Sequence, residues 1–269
     1  MDFIELIKVG ILAAFQGVAE FLPISSSGHL QVLGFLLKTD PEKNLFLGVL
    51  LHGGTLLAIL VFYFHQIWKI LAKKQFNLML AVIVGSIPAG IVGVAIKKSG
   101  IEDAIFGSLW VPAIGFAVTA LLLFFAMKSK TDDSEATAVE RISLKQAVVI
   151  GLAQAVAITP GISRSGSTIA AGLRVKLKKA DCAEFSFLLA IPAIAGAILL
   201  ETLEVLKQRV PVSAAEMGVW AVGFVISAVV GYFSLKLLLG MLKRGKLNYF
   251  AWYLVFASIA TFGIVLFTR

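Results

Sequence analysis

Cysteine is nearly absent from these 269 residues, and histidine occurs only three times. The single cysteine, Cys182, excludes an internal disulfide and a cysteine-rich metal cluster. Charge is scarce as well. Asp, Glu, Lys and Arg make up 15% of the chain, against roughly 25% in a soluble domain. That shortage excludes an ordinary soluble enzyme, a disordered chain and a free nucleic-acid binder. The N-terminal residues carry acids where a secretory signal would carry bases, so no cleaved signal is expected.

In place of charge there is apolar surface, with 59% of residues hydrophobic. Six stretches hold no Asp, Glu, Lys or Arg: 45–64, 76–96, 105–127, 185–200, 217–235 and 247–268. Most reach the roughly 17–25 residues of a spanning helix. The stretch 185–200 is short, holds Pro192, and should extend past its charge-free limits. Two further apolar regions are interrupted. Residues 9–37 contain Glu20, Pro23, the run Ser25-Ser26-Ser27, Gly28 and His29. Residues 147–173 contain Pro160, Gly161, Ser163, Arg164, Ser165, Gly166, Ser167 and Thr168. Pro and Gly break helices, and broken backbone at membrane depth survives only inside protein or against a watery cavity. Each region therefore reads as a re-entrant helix–loop–helix with arms of about 8–16 residues.

A shift of 138 residues lays the interruptions over one another. Gln16-Gly-Val-Ala-Glu-Phe-Leu-Pro-Ile-Ser-Ser-Ser-Gly28 aligns with Gln154-Ala-Val-Ala-Ile-Thr-Pro-Gly-Ile-Ser-Arg-Ser-Gly166, and seven of 13 positions are identical. Register of Gln, Ser, Ser and Gly points to duplication. The expected organisation is a single membrane domain: repeat one at 1–127, an exposed linker at 128–145, and repeat two at 146–269. A re-entrant pair keeps the chain on one side, whereas three spans change it. The second half therefore starts on the opposite face. The fold class is all-α integral membrane, with six full transmembrane helices and two re-entrant pairs in an inverted-topology repeat.

The net charge of +8 reads as loop bias rather than as a nucleic-acid partner. One set of loops (the N-terminal segment, 38–44, 97–104, 201–216 and the C-terminus) carries eight bases, Arg269 among them. The other set (65–75, 128–146, 174–184 and 236–246) carries fifteen. The richer face is expected to be cytoplasmic, with both termini outside.

Glu20, His29 and Arg164 are the ionisable groups of the two broken loops. Such groups at membrane depth are costly and face a cavity or a partner. A structural ion pair is the plainer reading, but three groups beside six serine hydroxyls favour a site. A loop leading into a helix aims free N–H groups at an anion, and Arg164 adds a fork that matches phosphate oxygens. Ser beside His permits nucleophilic catalysis, and Gln16 and Glu20 share one helical face. Together these groups suit phosphoryl transfer. His52, beside Gly53 and Gly54, reads as close helix packing, as do Gly85, Pro88, Gly90 and Gly93. His65, Tyr63 and Trp68 read as interfacial, and Asp181 and Glu184 as a helix start.

The segments Gln16–Glu20 with 21–29, and Pro160–Thr168, resemble the two signatures of the bacitracin-resistance family of undecaprenyl pyrophosphate phosphatases. Both occur in order, and the span pattern fits the whole chain. The resemblance implies hydrolysis of undecaprenyl pyrophosphate to undecaprenyl phosphate and inorganic phosphate in the bacterial inner (plasma) membrane. It implies a divalent cation, Mg2+ or Ca2+, at Glu20. Glu20, Ser26, His29 and Arg164 become the catalytic set. Ser25, Ser27, Ser163, Ser165 and Thr168 become the phosphate site, with Gln16, Gly161 and Gly166 in support. The family begins its first signature with Glu or Gln, and the amide at Gln16 is a weaker metal ligand than a carboxylate. The implied partners are the polyprenyl pyrophosphate lipid and the bilayer, with a homo-oligomer left open. The inverted repeat alone would also suit a polyprenyl-phosphate flippase or transporter.

Overall fold

A computed structural model describes residues 3–128, 136–208 and 213–268, without the side chains of 41–44 and 103. Lys130, Arg209 and Arg269 of the loop tally therefore lie outside the described residues. The described residues form twelve α-helices: α1 (Phe3–Ala19), α2 (Ser26–Leu37), α3 (Pro41–Phe62), α4 (Phe64–Ala72), α5 (Phe76–Ser99), α6 (Glu102–Phe106), α7 (Trp110–Met127), α8 (Leu144–Val156), α9 (Arg164–Arg174), α10 (Lys179–Gln208), α11 (Ala214–Lys243) and α12 (Asn248–Phe267). Six are long and apolar enough to cross a membrane: α3, α5, α7, α10, α11 and α12. Large apolar side chains such as Phe233, Phe256 and Ile259 stand exposed on them. A soluble protein rarely shows so broad an apolar surface. The chain is a multi-pass membrane protein.

Both interrupted regions are helix–loop–helix pairs, α1–α2 and α8–α9. The helix starts keep the register read from the loops. Ser26 and Arg164, Pro41 and Lys179, Phe76 and Ala214, and Trp110 and Asn248 are each 138 residues apart. Packing follows the same rule. α11 lies against α1 and α3, and α5 lies against α8 and α10. At the α5–α8 crossing a Cβ on Gly151 would come within 2.1 Å of the Gly85 carbonyl oxygen, so only glycine permits that approach. Gly90 and Gly93 do not pack in this way. A Cβ there would meet nothing within 4 Å and only Ile158 at 3.8 Å, respectively.

Several expected boundaries move. α3 stops at Phe62, and Tyr63 is buried against Phe62 and Phe187. The span expected from 105 begins at Trp110, because the chain bends at Gly107 and Ser108. α10 runs through Pro192 and on to Gln208. It thus takes in much of what the charge pattern assigned to a loop at 201–216. The described part of the expected linker, 136–145, is exposed in part and anchored in part. Val139 and Ile142 are buried, Thr137 bridges to Leu177, and Ser143 and Gln146 form a capping box that starts α8.

Candidate active site

The two loops meet each other directly. Ser25 caps α2 by accepting from Gly28 N at 3.4 Å, and Ser163 caps α9 by accepting from Gly166 N at 3.1 Å. Ser25 Oγ also accepts from Gly161 N at 3.1 Å, while Ser165 Oγ donates to the Leu22 carbonyl at 3.1 Å. Gly161 makes the second turn possible. Its φ is +87°, and a Cβ there would fall 2.5 Å from the Pro112 carbonyl oxygen. From α7, the Thr119 hydroxyl donates to Gly161 O at 2.9 Å and accepts from Ser163 N at 3.0 Å. Thr119 escaped the sequence reading because one threonine in an apolar run carries no spacing signal.

This clasp brings three of the four expected catalytic residues together. Arg164 Nη2 donates to Glu20 Oε1 at 2.8 Å, and Ser26 Oγ donates to Glu20 Oε2 at 2.7 Å. Gln16 Nε2 reaches the same Oε2 at 3.3 Å. Arg164 also donates through Nη1 to the Ser186 carbonyl at 3.3 Å. Glu20 is 7% exposed, so this is a desolvated pair with several donors on one carboxylate.

His29 stands apart. Its Nδ1 lies 2.8 Å from the Ser25 carbonyl, which can only accept, so Nδ1 carries a proton. Nε2 lies 2.8 Å from Tyr253 Oη. The ring is held among Phe15, Phe116 and Tyr253. Among the described residues no hydrogen bond joins His29 to Glu20, Ser26 or Arg164. Tyr253 was missed, being one of several aromatics on α12.

The expected phosphate-site hydroxyls divide in two. Ser25, Ser163 and Ser165 hold the loops, and Thr168 donates to the Arg164 carbonyl at 2.8 Å and pairs with Ser186 Oγ at 2.6 Å. Among the described residues the Ser27 hydroxyl has one hydrogen-bond partner, Ser25 Oγ at 3.5 Å. Ser167 Oγ is buried with no hydrogen-bond partner among the described residues.

A cavity of about 440 Å³ reaches Arg164 between α5, α8 and α10. Gln154 and Ser86 line its depth, and Lys97, Glu102 and Glu201 its other end. Lys97 pairs with Glu204, and His52 Nδ1 lies 3.6 Å from Glu201 Oε2. His52 is therefore more than a packing residue, although Gly54 beside it does lie tight against Phe224 and Ser227. Glu201 was missed because the charge-free rule ended its helix at Leu200.

No group of three or more His, Cys, Asp or Glu with metal-binding geometry occurs among the described residues. Glu20 and the buried, unpartnered Gln16 Oε1 are the neighbouring oxygen donors on offer. That set fits a hard cation that takes its remaining ligands from substrate phosphate and water.

Residues 9–260 match the family described as bacitracin resistance protein BacA. The chain belongs to this family. Relatives named undecaprenyl-diphosphatase cover nearly all of it. That of Parabacteroides distasonis is 37% identical over 99% of both chains. That of Bacteroides thetaiotaomicron is 38% identical over 97% of this chain and 98% of its own. That of Rhodopirellula baltica is 40% identical over 95% and 96%. Both broken loops, at 16–29 and 154–168, lie inside the BacA match.

Proposed function

We propose that the chain hydrolyses undecaprenyl pyrophosphate to undecaprenyl phosphate and inorganic phosphate, recycling the lipid carrier of cell-wall polymers. The observation that carries this reading is the Glu20–Arg164–Ser26 cluster, assembled from two loops in a BacA chain. Arg164 holds phosphate oxygens with its fork and keeps its charge at any working pH. Ser26 attacks the terminal phosphorus while Glu20 takes the hydroxyl proton, an assignment supported by the 2.7 Å hydrogen bond between them. The bond to the bridging oxygen breaks, and undecaprenyl phosphate leaves with the proton from Glu20 on its freed oxygen. Water then attacks the phosphoseryl group, the again ionised Glu20 takes the water's proton and returns it to Ser26 Oγ as the Oγ–P bond breaks, and inorganic phosphate departs. His29, held by Tyr253, serves as the further acid/base group. Glu20 and Gln16 would hold a divalent cation, which when bound supplies charge neutralisation at the phosphates.

The repeated helix starts and exchanged packing support an inverted repeat with two re-entrant pairs. In the plasma membrane the fifteen-base face is cytoplasmic and both termini are outside. The cavity runs from Arg164 toward Lys97 and Glu102, on the eight-base face. Substrate left in the outer leaflet would enter there. The relatives' shared name speaks for hydrolysis and not for flipping.

Phosphate release from a polyprenyl pyrophosphate by purified protein tests the reading. Wild type with Mg2+ or Ca2+ should release phosphate, and Arg164→Ala should lose about a thousandfold in kcat/KM. No release from wild type would overturn the function. Labelled phosphate trapped on Ser26 supports the covalent route, while substantial turnover by Ser26→Ala transfers the attack to water.

A further inference from the structure

The second loop's arm holds a buried amide that the chemistry above does not use. Gln154, in the last turn of α8, is 2% exposed. Neither Nε2 nor Oε1 has a hydrogen-bond partner among the described residues. Its counterpart 138 residues earlier, Gln16, gives its Nε2 to Glu20. The residue answering to Glu20 is Ile158, so Gln154 finds no carboxylate one turn on. A buried amide left without a partner is costly. Native proteins rarely keep one without a reason.

Gln154 lines the cavity that Arg164 and Ile158 also line. The facing wall is kept open by Gly90 and Gly93, where a side chain would have had room. A glutamine amide offers two N–H donors and a carbonyl acceptor. Donors suit unesterified phosphate oxygens, and the carbonyl suits a water or a protonated phosphate oxygen. The only other polar groups lining this cavity near the loop are Arg164 on α9 and Ser86 on α5 among the described residues. Ser86 is already engaged with the Val82 carbonyl at 2.7 Å.

We propose that Gln154 is a further substrate-binding residue. Its Nε2 donates to an unesterified oxygen of the pyrophosphate that Arg164 holds from the next helix. The inference rests on the hydrolase reading. Water can serve the amide between turnovers, but a role confined to holding water would leave KM unmoved.

The test uses the full chain in detergent with a polyprenyl pyrophosphate, reading phosphate release and thermal unfolding. Gln154→Leu keeps the bulk and removes the amide. It should lower kcat/KM about tenfold, chiefly through KM, with an unfolding midpoint held or raised. Gln154→Glu sets a carboxylate against phosphate and should lose about a hundredfold. Gln154→Met is read in the same way as Gln154→Leu should the latter not fold. Wild-type kinetics in the apolar variant would overturn the proposal. So would a fall in kcat and midpoint with KM unchanged. If wild type releases no phosphate, the hydrolase reading falls, and inorganic pyrophosphate alone becomes the probe. A pyrophosphate-induced rise in the wild-type midpoint that Gln154→Leu lacks still supports the contact. Equal shifts, or no shift in either protein, remove it.

Discussion

Ser25 and Ser163 do the same job at the two helix breaks, while their next neighbours, Ser26 and Arg164, bring opposite chemistry. Both capping serines accept from a glycine N–H three residues on. Gly28 and Gly166 each abut the other loop. A Cβ on Gly28 would meet Gly161 N at 2.7 Å, and one on Gly166 would meet Pro23 Cβ at 3.2 Å. Positions 23 and 161 correspond, so the contacts exchange under the 138-residue shift. The identical residues therefore build the clasp. The residues of the proposed chemistry sit where the loops differ: Glu20 against Ile158, Ser26 against Arg164, and His29 against Ser167. A symmetric scaffold with asymmetric substitutions places a carboxylate, a hydroxyl and a guanidinium together without two equal charges facing each other.

Erasing the asymmetry should do the most damage. Glu20→Ile copies the second loop into the first. It strips Arg164 of its partner and Ser26 of its acceptor. The expected loss in kcat/KM is about a thousandfold, or roughly 4 kcal/mol. Phosphate release under saturating cation measures it. Activity within tenfold of wild type would mean that the carboxylate is a structural counter-ion only.

Breaking the clasp itself comes next. Gly161→Ala forces a Cβ against the Pro112 carbonyl at a backbone conformation side chains avoid. Strain and overpacking together should cost about 3 kcal/mol of stability. Pro23→Ala, at the corresponding position of the first loop, meets neither obstacle and should cost less. Unfolding midpoints of the two variants in the same detergent compare them directly, and equal losses would dissolve the distinction between the two turns.

How far the sequence anticipated all this follows the same division. The meeting of the two loops was legible because duplication repeats serine and glycine in register, Glu20 and Arg164 stood out as ionisable groups at membrane depth, and Ser26 was singled out by the family resemblance. The six long helices were legible from hydrophobic run length. Helix ends were not. A charge-free rule stops at the first acid or base, whereas α10 and α11 continue through Glu201 and Lys236. Backbone hydrogen bonding does not depend on side-chain charge. Thr119, Tyr253 and the His52–Glu201 pair were hidden for another reason. Each is a lone polar group in an apolar helix whose partner lies far along the chain, as with His29 and Tyr253, 224 residues apart. Periodicity reports which face a residue shares and not what stands opposite. The anchoring of 136–145 was not legible because Val139 and Ile142, which provide it, are outnumbered by polar residues.

The smallest expected effect probes the third asymmetric position. His29 has both ring nitrogens engaged, whereas Ser167, its counterpart, has a buried hydroxyl without a partner among the described residues. Because Nδ1 is protonated toward the Ser25 carbonyl, Nε2 of the neutral ring accepts from the Tyr253 hydroxyl. Tyr253→Phe removes that donor and keeps the stacked ring. A single hydrogen bond is worth about 1 kcal/mol, so kcat/KM should fall roughly fivefold if His29 handles protons in the reaction. The loss should appear in kcat and change the pH profile, because the free Nε2 then protonates on different terms. A purely structural His29 would instead lower the unfolding midpoint and leave the shape of the pH profile unchanged. The same substitution thus decides whether the third difference between the loops belongs with the chemistry or with the clasp.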